Sequence, residues 1–341
     1  MAERIATARS TSNIAFIKYW GNRDDTLRLP SNGSISLNLA GLETTTTVRF
    51  APELEADRLF LNGEEVEGKA RERVSEHLDH IRGLAGLALH AEVISENNFP
   101  TGTGIASSAS AFAALTLAAC RALGLDLTER ALSTLARLGS GSASRSIPGG
   151  YVEWVAGTDH DSSYAETIAP AEHWHLIDLV AVVSETHKEI GSTGGHALAG
   201  TSPLQEARVS DAERRLALCR EAILAKDFEA LATVAELDAL MMHAVMMTST
   251  PSLVYWSPAT IEIIKAVPGW RRRGTPAFFT IDAGPNVHVL TTPDHAPRVR
   301  EHLLGVSGVV NVISGTPGGP TRLLEEHLTT PHFDQSAAAS V

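Results

Sequence analysis

Residues 97–119 read NNFPTGTGIASSASAFAALTLAA, and the rest of the chain is best read outward from them. Polar residues and Pro100 lead to Gly102 and Gly104, then to Ser107, Ser108 and Ser110, and then to an almost unbroken Ala/Leu/Phe run. Serines just ahead of an apolar, alanine-rich segment mark a helix start, because their hydroxyls cap unpaired first-turn N–H groups. Gly102 and Gly104 let the backbone come close to a bound group. A glycine loop feeding a helix N-terminus aligns N–H donors with the positive end of the helix dipole, which suits a phosphate. No lysine follows the glycines, so this is not the GxxxxGK[ST] loop. On loop chemistry alone, two readings stand level: a phosphate cradle, or a plain loop capping a buried helix.

At 341 residues the chain is long enough for a large core and two lobes. A formal charge of −12 and the lack of any dense Lys/Arg run argue against a nucleic-acid surface. An anionic small molecule must then be held by a few positioned cations, and only five lysines are available. Cys120 and Cys219 lie in apolar, helix-like segments and read as reduced core residues. The N-terminus has no basic-then-apolar leader, and no apolar run is expected to reach bilayer length, so a cytoplasmic protein is expected.

Ahead of the opening stretch, Asn13 to Trp20 is strand-like, residues 21–25 turn, and 34–39 and 44–50 read as two strands of one sheet. Lys18 is out of place on such a strand. It needs an anionic partner, or else it snorkels past its apolar neighbours. Asn62-Gly63 closes an acidic hairpin within 53–69, residues 70–90 are helical, and 89–94 form a strand. After the opening helix, which ends near Gly124, residues 127–138 form an amphipathic helix. A second Gly/Ser loop, Gly139-Ser-Gly-Ser-Ala-Ser-Arg145-Ser, follows it. Arg145 there is either a bidentate clamp for a carboxylate or phosphate, or a solvated loop residue.

A weakly marked boundary near 168–175 divides lobes 1–170 and 171–330, with 331–341 a loose tail. A strand over 174–183 leads to a small-residue loop with His187, Lys188 and Ser192-Thr-Gly-Gly-His196. Residues 205–247 are largely helical, with Met pairs at 241–242 and 246–247 as core filler. A short helix spans 258–267, and the strand 278–281 delivers Asp282 into the turn Ala283-Gly-Pro-Asn286. A strand over 287–290 and a helix over 296–305 follow. Asp282 is either a base at a strand-to-turn junction or an Asp bonding its own backbone. His77 with His80, and His173 with His175, have ligand-like spacing, but no HExxH or Cys-His grouping supports a metal.

Together these strings resemble one family. Pro100-x3-Gly104-Ile-Ala106-Ser107-Ser108 is similar to the phosphate loop of the GHMP kinase superfamily. Asn13-Ile-Ala-Phe-Ile-Lys18-Tyr-Trp-Gly21, the Arg145 loop, Gly149-Gly-Tyr-Val-Glu-Trp154 and Asp282-Ala-Gly-Pro-Asn286 resemble its mevalonate diphosphate decarboxylase branch, in the branch's order. The resemblance implies a two-lobed α+β fold with a deep cleft and a left-handed βαβ crossover. It implies ATP-dependent decarboxylation of a phosphorylated mevalonate with Mg2+, in a homodimer. Asp282 would act on the 3-hydroxyl, with Lys18 beside it. Ser107 and Ser108, with Asn97, Pro100, Gly102, Gly104 and Ala106, would hold the ATP phosphates, with Mg2+ on Ser108. Arg145, Ser142 and Asn13 would take the C1 carboxylate, and Tyr19 and Ser140 the 5-phosphate end.

Two positions depart from the branch. Relatives that use the diphosphate read KYWGK, where this chain has Asn22 in place of the last lysine. They carry Met where this chain has His196. The lysine is the one that the resemblance assigns to the terminal phosphate. Its loss is a change on the order of 1–3 kcal/mol for a charge-assisted bond. The expected substrate is therefore 5-phosphomevalonate, contacted by Asn22 and His196 and converted to isopentenyl phosphate, with the diphosphate as runner-up. A GHMP kinase that phosphorylates and stops would share the loop but not the Arg145 and DAGPN combination. A nucleotide-binding regulator would have lost Lys18, Arg145 or Asp282, and all three are present.

Overall fold

In the computed structural model, which describes residues 4–99, 107–183 and 191–329, helices pack against one large, mostly antiparallel sheet. Its first half runs β1 (Ile5–Ile17), β2 (Asn22–Asp24), β3 (Leu29–Pro30), β4 (Ser34–Phe50), β5 (Arg58–Leu61) and β6 (Glu64–Glu65), then α1 (Lys69–Ala85), β7 (Ala91–Asn97), α2 (Ser107–Ala122) and α3 (Glu129–Gly139). A 3-10 turn at Gly141–Ser146 leads to β8 (Tyr151–Trp154), β9 (Ala165–Ala169) and β10 (Ile177–Val182). The helices α4 (Ser192–Leu198), α5 (Gln205–Ser210), α6 (Ala212–Ala225), α7 (Phe228–Met247) and α8 (Pro258–Arg272) follow. The chain then runs through β11 (Ala277–Thr280), β12 (Val287–Thr291), α9 (Ala296–Leu304), β13 (Asn311–Pro317) and β14 (Arg322–Leu324).

β1 and β4 pair antiparallel from Ile5↔Arg49 to Ile17↔Ile35. The two strands expected at 34–39 and 44–50 are one 17-residue strand. The apparent break is a bulge: Thr11 pairs with Glu43, while the next residue, Ser12, pairs with Leu39. The 62–63 hairpin forms as expected, and β5 and β7 are the parallel pair among the described strands, with α1 between them in sequence. The second Gly/Ser segment is a 3-10 turn rather than an open loop. β2, β3, β8, β9, β13 and β14 were not anticipated, and the small-residue loop expected at 192–196 is helix α4. β13 (NVISGTP) carries a Gly and a Pro that lower strand propensity, yet it gains backbone partners from β10 on one side and β4 on the other. β13 thereby makes the sheet continuous between the two halves of the chain, and β14 returns to β1.

α2 lies on β1 and β4, with Ala109, Ala113, Ala114, Ala118 and Ala119 fully buried. Small side chains let helix and sheet approach closely, which explains why this helix is apolar almost all round. Cys120 and Cys219 are free and buried, and burial pushes both thiols up. α7 overturns the expectation about apolar runs: at 20 residues it is long and apolar enough to cross a membrane by length and composition. Here it is a core helix, since Asp238 at its middle is fully buried and ion-paired within the protein. Of its methionines, Met242 and Met246 are buried and Met247 is exposed, because adjacent helical residues face different directions.

Candidate active site

The site forms where the ends of β1 and β11 meet. The Thr280 hydroxyl donates to the Ala15 carbonyl at 2.9 Å, which stitches β11 to β1. Two residues beyond Thr280 and three beyond Ala15, Asp282 and Lys18 come together. Lys18 Nζ donates to Asp282 Oδ1 at 2.6 Å, with Lys18 only 1% exposed and the Asp282 side chain 26% exposed. The lysine that looked misplaced on a strand therefore has its carboxylate. Burial lowers the Lys18 pKa, with Asp282 and Asp238 opposing the shift and Arg145 adding to it. Burial works to raise the Asp282 pKa, but Lys18, His288 and Arg145 outweigh it and the net shift is downward. The 2.6 Å contact is a salt bridge between the lysine and the carboxylate.

Sequence reading missed the scaffold behind Lys18. Its backbone N–H donates to Asp238 Oδ2 at 2.7 Å, and Arg215 Nε donates to the other oxygen of Asp238 at 2.7 Å. The Lys18 carbonyl accepts from Arg208 Nη2 at 2.7 Å and from Asn32 Nδ2 at 3.0 Å. Asp238, Arg208 and Arg215 are all buried. Asp238 inside an otherwise apolar helix was the available signal, since a buried carboxylate requires a partner. On the far side, His243 Nε2 lies 3.2 Å from the Asp282 carbonyl, and burial pushes this histidine to about 3. That imidazole is neutral and holds the Asp282 turn through a hydrogen bond.

The 3-10 turn brings Arg145 to the same place. Asn13 of β1 donates from Nδ2 to Ser146 Oγ at 2.8 Å and to the Ser142 carbonyl at 3.2 Å, which pins the turn to the sheet. Arg145, 3% exposed, donates to Ser34 Oγ at 2.6 Å and to Asn13 Oδ1 at 3.2 Å, and its guanidinium lies 5.9 Å from the Trp154 ring. Its Nε is buried and has no protein partner. Burial lowers its pKa to about 10, against the pull of Asp282, so it stays charged. A buried cation with a free donor is suited to an incoming carboxylate.

The other end of the site is neutral. The Tyr19 hydroxyl bonds Asn22 Oδ1, and Asn22 Nδ2 donates to Asp25 at 2.8 Å. Tyr19 stacks on His196 with ring centroids 4.1 Å apart, and a Cβ on Gly141 would sit 2.6 Å from the Tyr19 ring, so only glycine fits there. His196 Nδ1 accepts from the Gly21 N–H at 3.0 Å, which puts the proton of the neutral ring on Nε2. Burial, with Arg28, Arg208 and Arg145 nearby, pushes His196 to about 3. Ser140 Oγ lies 3.2 Å from Ser108 Oγ and 3.5 Å from Ser142 Oγ. Ser140 thus joins the start of α2 to the Arg145 turn.

Ser107 and Ser108 open α2, whose first turn carries no acidic residue, so the positive end of its dipole is uncompensated from within the helix. Asn97 ends β7, where its side chain accepts from the Thr44 hydroxyl. Pro100, Gly102, Gly104 and Ala106 lie outside the described residues, as do His187 and Lys188. Among the described residues no group of three or more His, Cys, Asp or Glu could hold a metal ion. His77 instead meets Thr116 at 2.8 Å, and His173 meets the Ile223 carbonyl at 2.9 Å. Magnesium is a hard cation that takes oxygen ligands and keeps several waters, and the serine hydroxyls that open α2 are oxygen donors of that kind.

The Diphosphomevalonate decarboxylase-like N-terminal domain matches residues 10–165, and the Mevalonate 5-diphosphate decarboxylase C-terminal domain matches residues 178–315. The chain is 36% identical over 322 residues to a phosphomevalonate decarboxylase of Haloferax volcanii, covering 94% of this chain and 98% of that one. It is 38% identical over 321 residues to a diphosphomevalonate decarboxylase of Ganoderma lucidum, covering 87% and 80% respectively. Mevalonate diphosphate decarboxylase from Staphylococcus aureus superposes with a TM-score of 0.88 at 37% identity, covering 94% of this chain and 98% of that one. MDDEF in complex with MVAPP, AMPPCP and magnesium gives a TM-score of 0.89 at 36% identity, covering 95% and 100%. With both domains and relatives matched over nearly its whole length, the chain belongs to the mevalonate diphosphate decarboxylase family.

Proposed function

We propose that the chain decarboxylates 5-phosphomevalonate with ATP, giving isopentenyl phosphate, ADP, phosphate and CO2. The observation that carries the reading is the Lys18–Asp282 pair, with the unpartnered Nε of Arg145 in the same cluster. In this reading the substrate's C1 carboxylate docks on Arg145, beside Asn13 and Ser142, and its 3-hydroxyl faces Asp282. Asp282 is ionised and its pKa is low, so it is a weak base. It orients the hydroxyl and accepts its proton as the oxygen bonds to the γ-phosphorus and ADP leaves. Lys18 neutralises charge on the transferring phosphoryl group. The C3–O bond then breaks, and the oxygen leaves with the phosphoryl group as phosphate. The C1–C2 electron pair becomes the C2=C3 double bond, and CO2 departs from its site at Arg145. Ser107 and Ser108, at the helix N-terminus, would hold the nucleotide phosphates, and Ser108 would help hold Mg2+, which would supply charge neutralisation there.

The monophosphate is favoured because the 5-end residues Tyr19, Asn22, Ser140 and His196 are all uncharged. Lysine is absent at position 22, and the His196 pKa lies well below neutrality. The diphosphate is the second reading, and the names of several relatives favour it. Purified chain with ATP, Mg2+ and each substrate in competition tests both, with CO2 and the isopentenyl product measured. Preferred turnover of the diphosphate would remove the monophosphate reading, and phosphorylation without CO2 would remove decarboxylation.

A further inference from the structure

The sheet that delivers Asp282 holds a buried acid–imidazole pair to which the reaction described above gives no part. His288 Nδ1 on β12 lies 2.7 Å from Asp178 Oδ2 on β10, and donates to it, with His288 1% exposed and Asp178 fully buried. The remaining atoms, His288 Nε2 and Asp178 Oδ1, are buried without a protein partner among the described residues. Around the pair the sheet is apolar. Val180 stands opposite His288, Leu290 stands opposite Asp178, and both are fully buried. Taking a carboxylate and an imidazole out of water is costly, and apolar side chains would pack such a sheet at least as well. Packing alone therefore does not account for the pair, nor for its two orphaned atoms.

His288 stands opposite Thr280, the last pair of the β11–β12 ladder before the turn that carries Asp282. Directly opposed residues of an antiparallel pair share a face of the sheet. The Thr280 hydroxyl bonds the Ala15 carbonyl, so that face is the one against β1, where the Lys18–Asp282 bridge forms. Other contacts already fix the turn. The Thr260 hydroxyl donates to the Pro285 carbonyl at 2.6 Å, Asn286 Oδ1 accepts from the Val183 N–H at 2.8 Å, and His243 meets the Asp282 carbonyl. These hold the turn's backbone and its last side chain, not the Asp282 carboxylate. Burial works against the ionised form of that carboxylate. Of the neighbours that favour it, His288 comes after Lys18 and ahead of Arg145.

The geometry points to Asp178 and His288 as a positioning pair for Asp282: Asp178 fixes the imidazole at the foot of the turn, and the imidazole complements the Asp282 carboxylate from within the sheet, as Lys18 does from the end of β1. This inference rests on the proposed action of Asp282 on the 3-hydroxyl. The pair acts through Asp282 and touches no substrate.

The test is single-turnover ADP formation and steady-state kinetics, with ATP, Mg2+ and the phosphorylated mevalonate that wild type turns over faster. Thermal melts establish that each variant is folded. His288→Asn keeps an amide donor near the place of Nδ1 and removes the ring. It should lower kcat and the single-turnover rate about 10- to 50-fold, inside the roughly 100-fold that misplacing a catalytic group by 1 Å costs. KM for both substrates should stay within about 3-fold, because neither binding contact is touched. Asp178→Asn should show the same split with a smaller loss. The deciding measurement is His288→Asn made in Asp282→Asn. With the carboxylate already gone, it should cost less than about 2-fold more, whereas a merely structural pair would cost the same factor in both backgrounds. Should His288→Asn unfold, Asp178→Asn goes through the same cycle. Equal factors in the two backgrounds, or losses below about 2-fold in both single variants, overturn the inference. Asp282→Asn turning over within a few-fold of wild type would instead remove the role of Asp282 on which the pair depends.

Discussion

The end of the site that carries Lys18, Asp282 and Arg145 and the end that carries Tyr19, Asn22 and His196 follow different electrostatic plans. At the first, three ionised groups are held in or beside the core at the ends of strands and in a pinned 3-10 turn. Each has a partner: Lys18 has Asp282, and Arg145 has Ser34 and Asn13. The backbone of Lys18 is gripped by the buried Asp238–Arg215–Arg208 network. At the second end the residues themselves are neutral: a ring stack, an amide that passes a hydrogen bond on to Asp25, and a histidine whose tautomer is set by one backbone N–H. A buried charge that loses its partner costs several kcal/mol, so the first end tolerates little change. A neutral hydrogen bond is worth about 1 kcal/mol, so single substitutions can retune the second. On the proposed function, the reaction would be set at the first end and the choice of substrate adjusted at the second.

Asp282→Asn tests the charged end most severely. It keeps the shape and removes the carboxylate, leaving Lys18 as a buried ammonium without its counter-ion. Turnover should fall by at least about 100-fold, with substrate KM changed far less. Pre-steady-state ADP release and CO2 release, measured separately, show whether the loss lies in phosphoryl transfer, as proposed. Turnover within a few-fold of wild type would return Asp282 to the role of a turn residue.

Arg145→Lys keeps the charge and loses the planar fork that serves Ser34 and Asn13 while leaving Nε free. The expected loss in kcat/KM is about 10- to 100-fold, the range for one strong charge-assisted bond. Unchanged kinetics would mean that the guanidinium geometry does not matter and that charge alone is used.

These two residues, with Lys18, were legible in the sequence for a physical reason. Each is a charged side chain where its surroundings offered no local use for charge: on a strand, in a loop of small residues, at a strand-to-turn junction. The scaffold behind them was not legible. Arg208 and Arg215 lie on polar helical segments and look like surface residues, and nothing local pairs them with Asp238 on another helix. Pairing also decided β13, which Gly315 and Pro317 disguise, and which exists because β10 and β4 both offer it backbone partners.

Asn22→Lys tests the neutral end by giving it a charge. The new ammonium would stand on the hairpin next to the Tyr19 hydroxyl and Asp25. It should improve kcat/KM for the diphosphate relative to the monophosphate by roughly 10-fold, in competition at equal concentrations. A wild-type enzyme that already prefers the diphosphate would show that another cation holds the second phosphate, and the contrast between the two ends would lose its meaning for specificity.

His196→Gln should have the smallest effect at neutral pH and the clearest one in acid. Gln is neutral throughout, and it keeps an acceptor for the Gly21 N–H and a donor for the substrate. With the His196 pKa at about 3 in the folded chain, the ring is uncharged at pH 7, so no charge is removed there. The change in kcat/KM for the monophosphate should be no more than about 5-fold, one neutral hydrogen bond. Stability behaves differently. The folded pKa lies below the ordinary histidine value of about 6.5, so the folded state binds this proton less readily than the unfolded chain does. The resulting stabilisation is complete above about pH 6.5 and is lost as the pH falls toward about 3. Below pH 6.5 the advantage of wild type over the variant should shrink by up to about 1.4 kcal/mol per pH unit. His77 and His243, also pushed to about 3, lie in both proteins and cancel from the difference. Denaturant midpoints at pH 7, 6, 5 and 4 measure it. A parallel pair of stability curves would mean that His196 titrates normally. A 100-fold loss of activity at pH 7 would mean that it meets the phosphate as a cation and that the second end is charged after all.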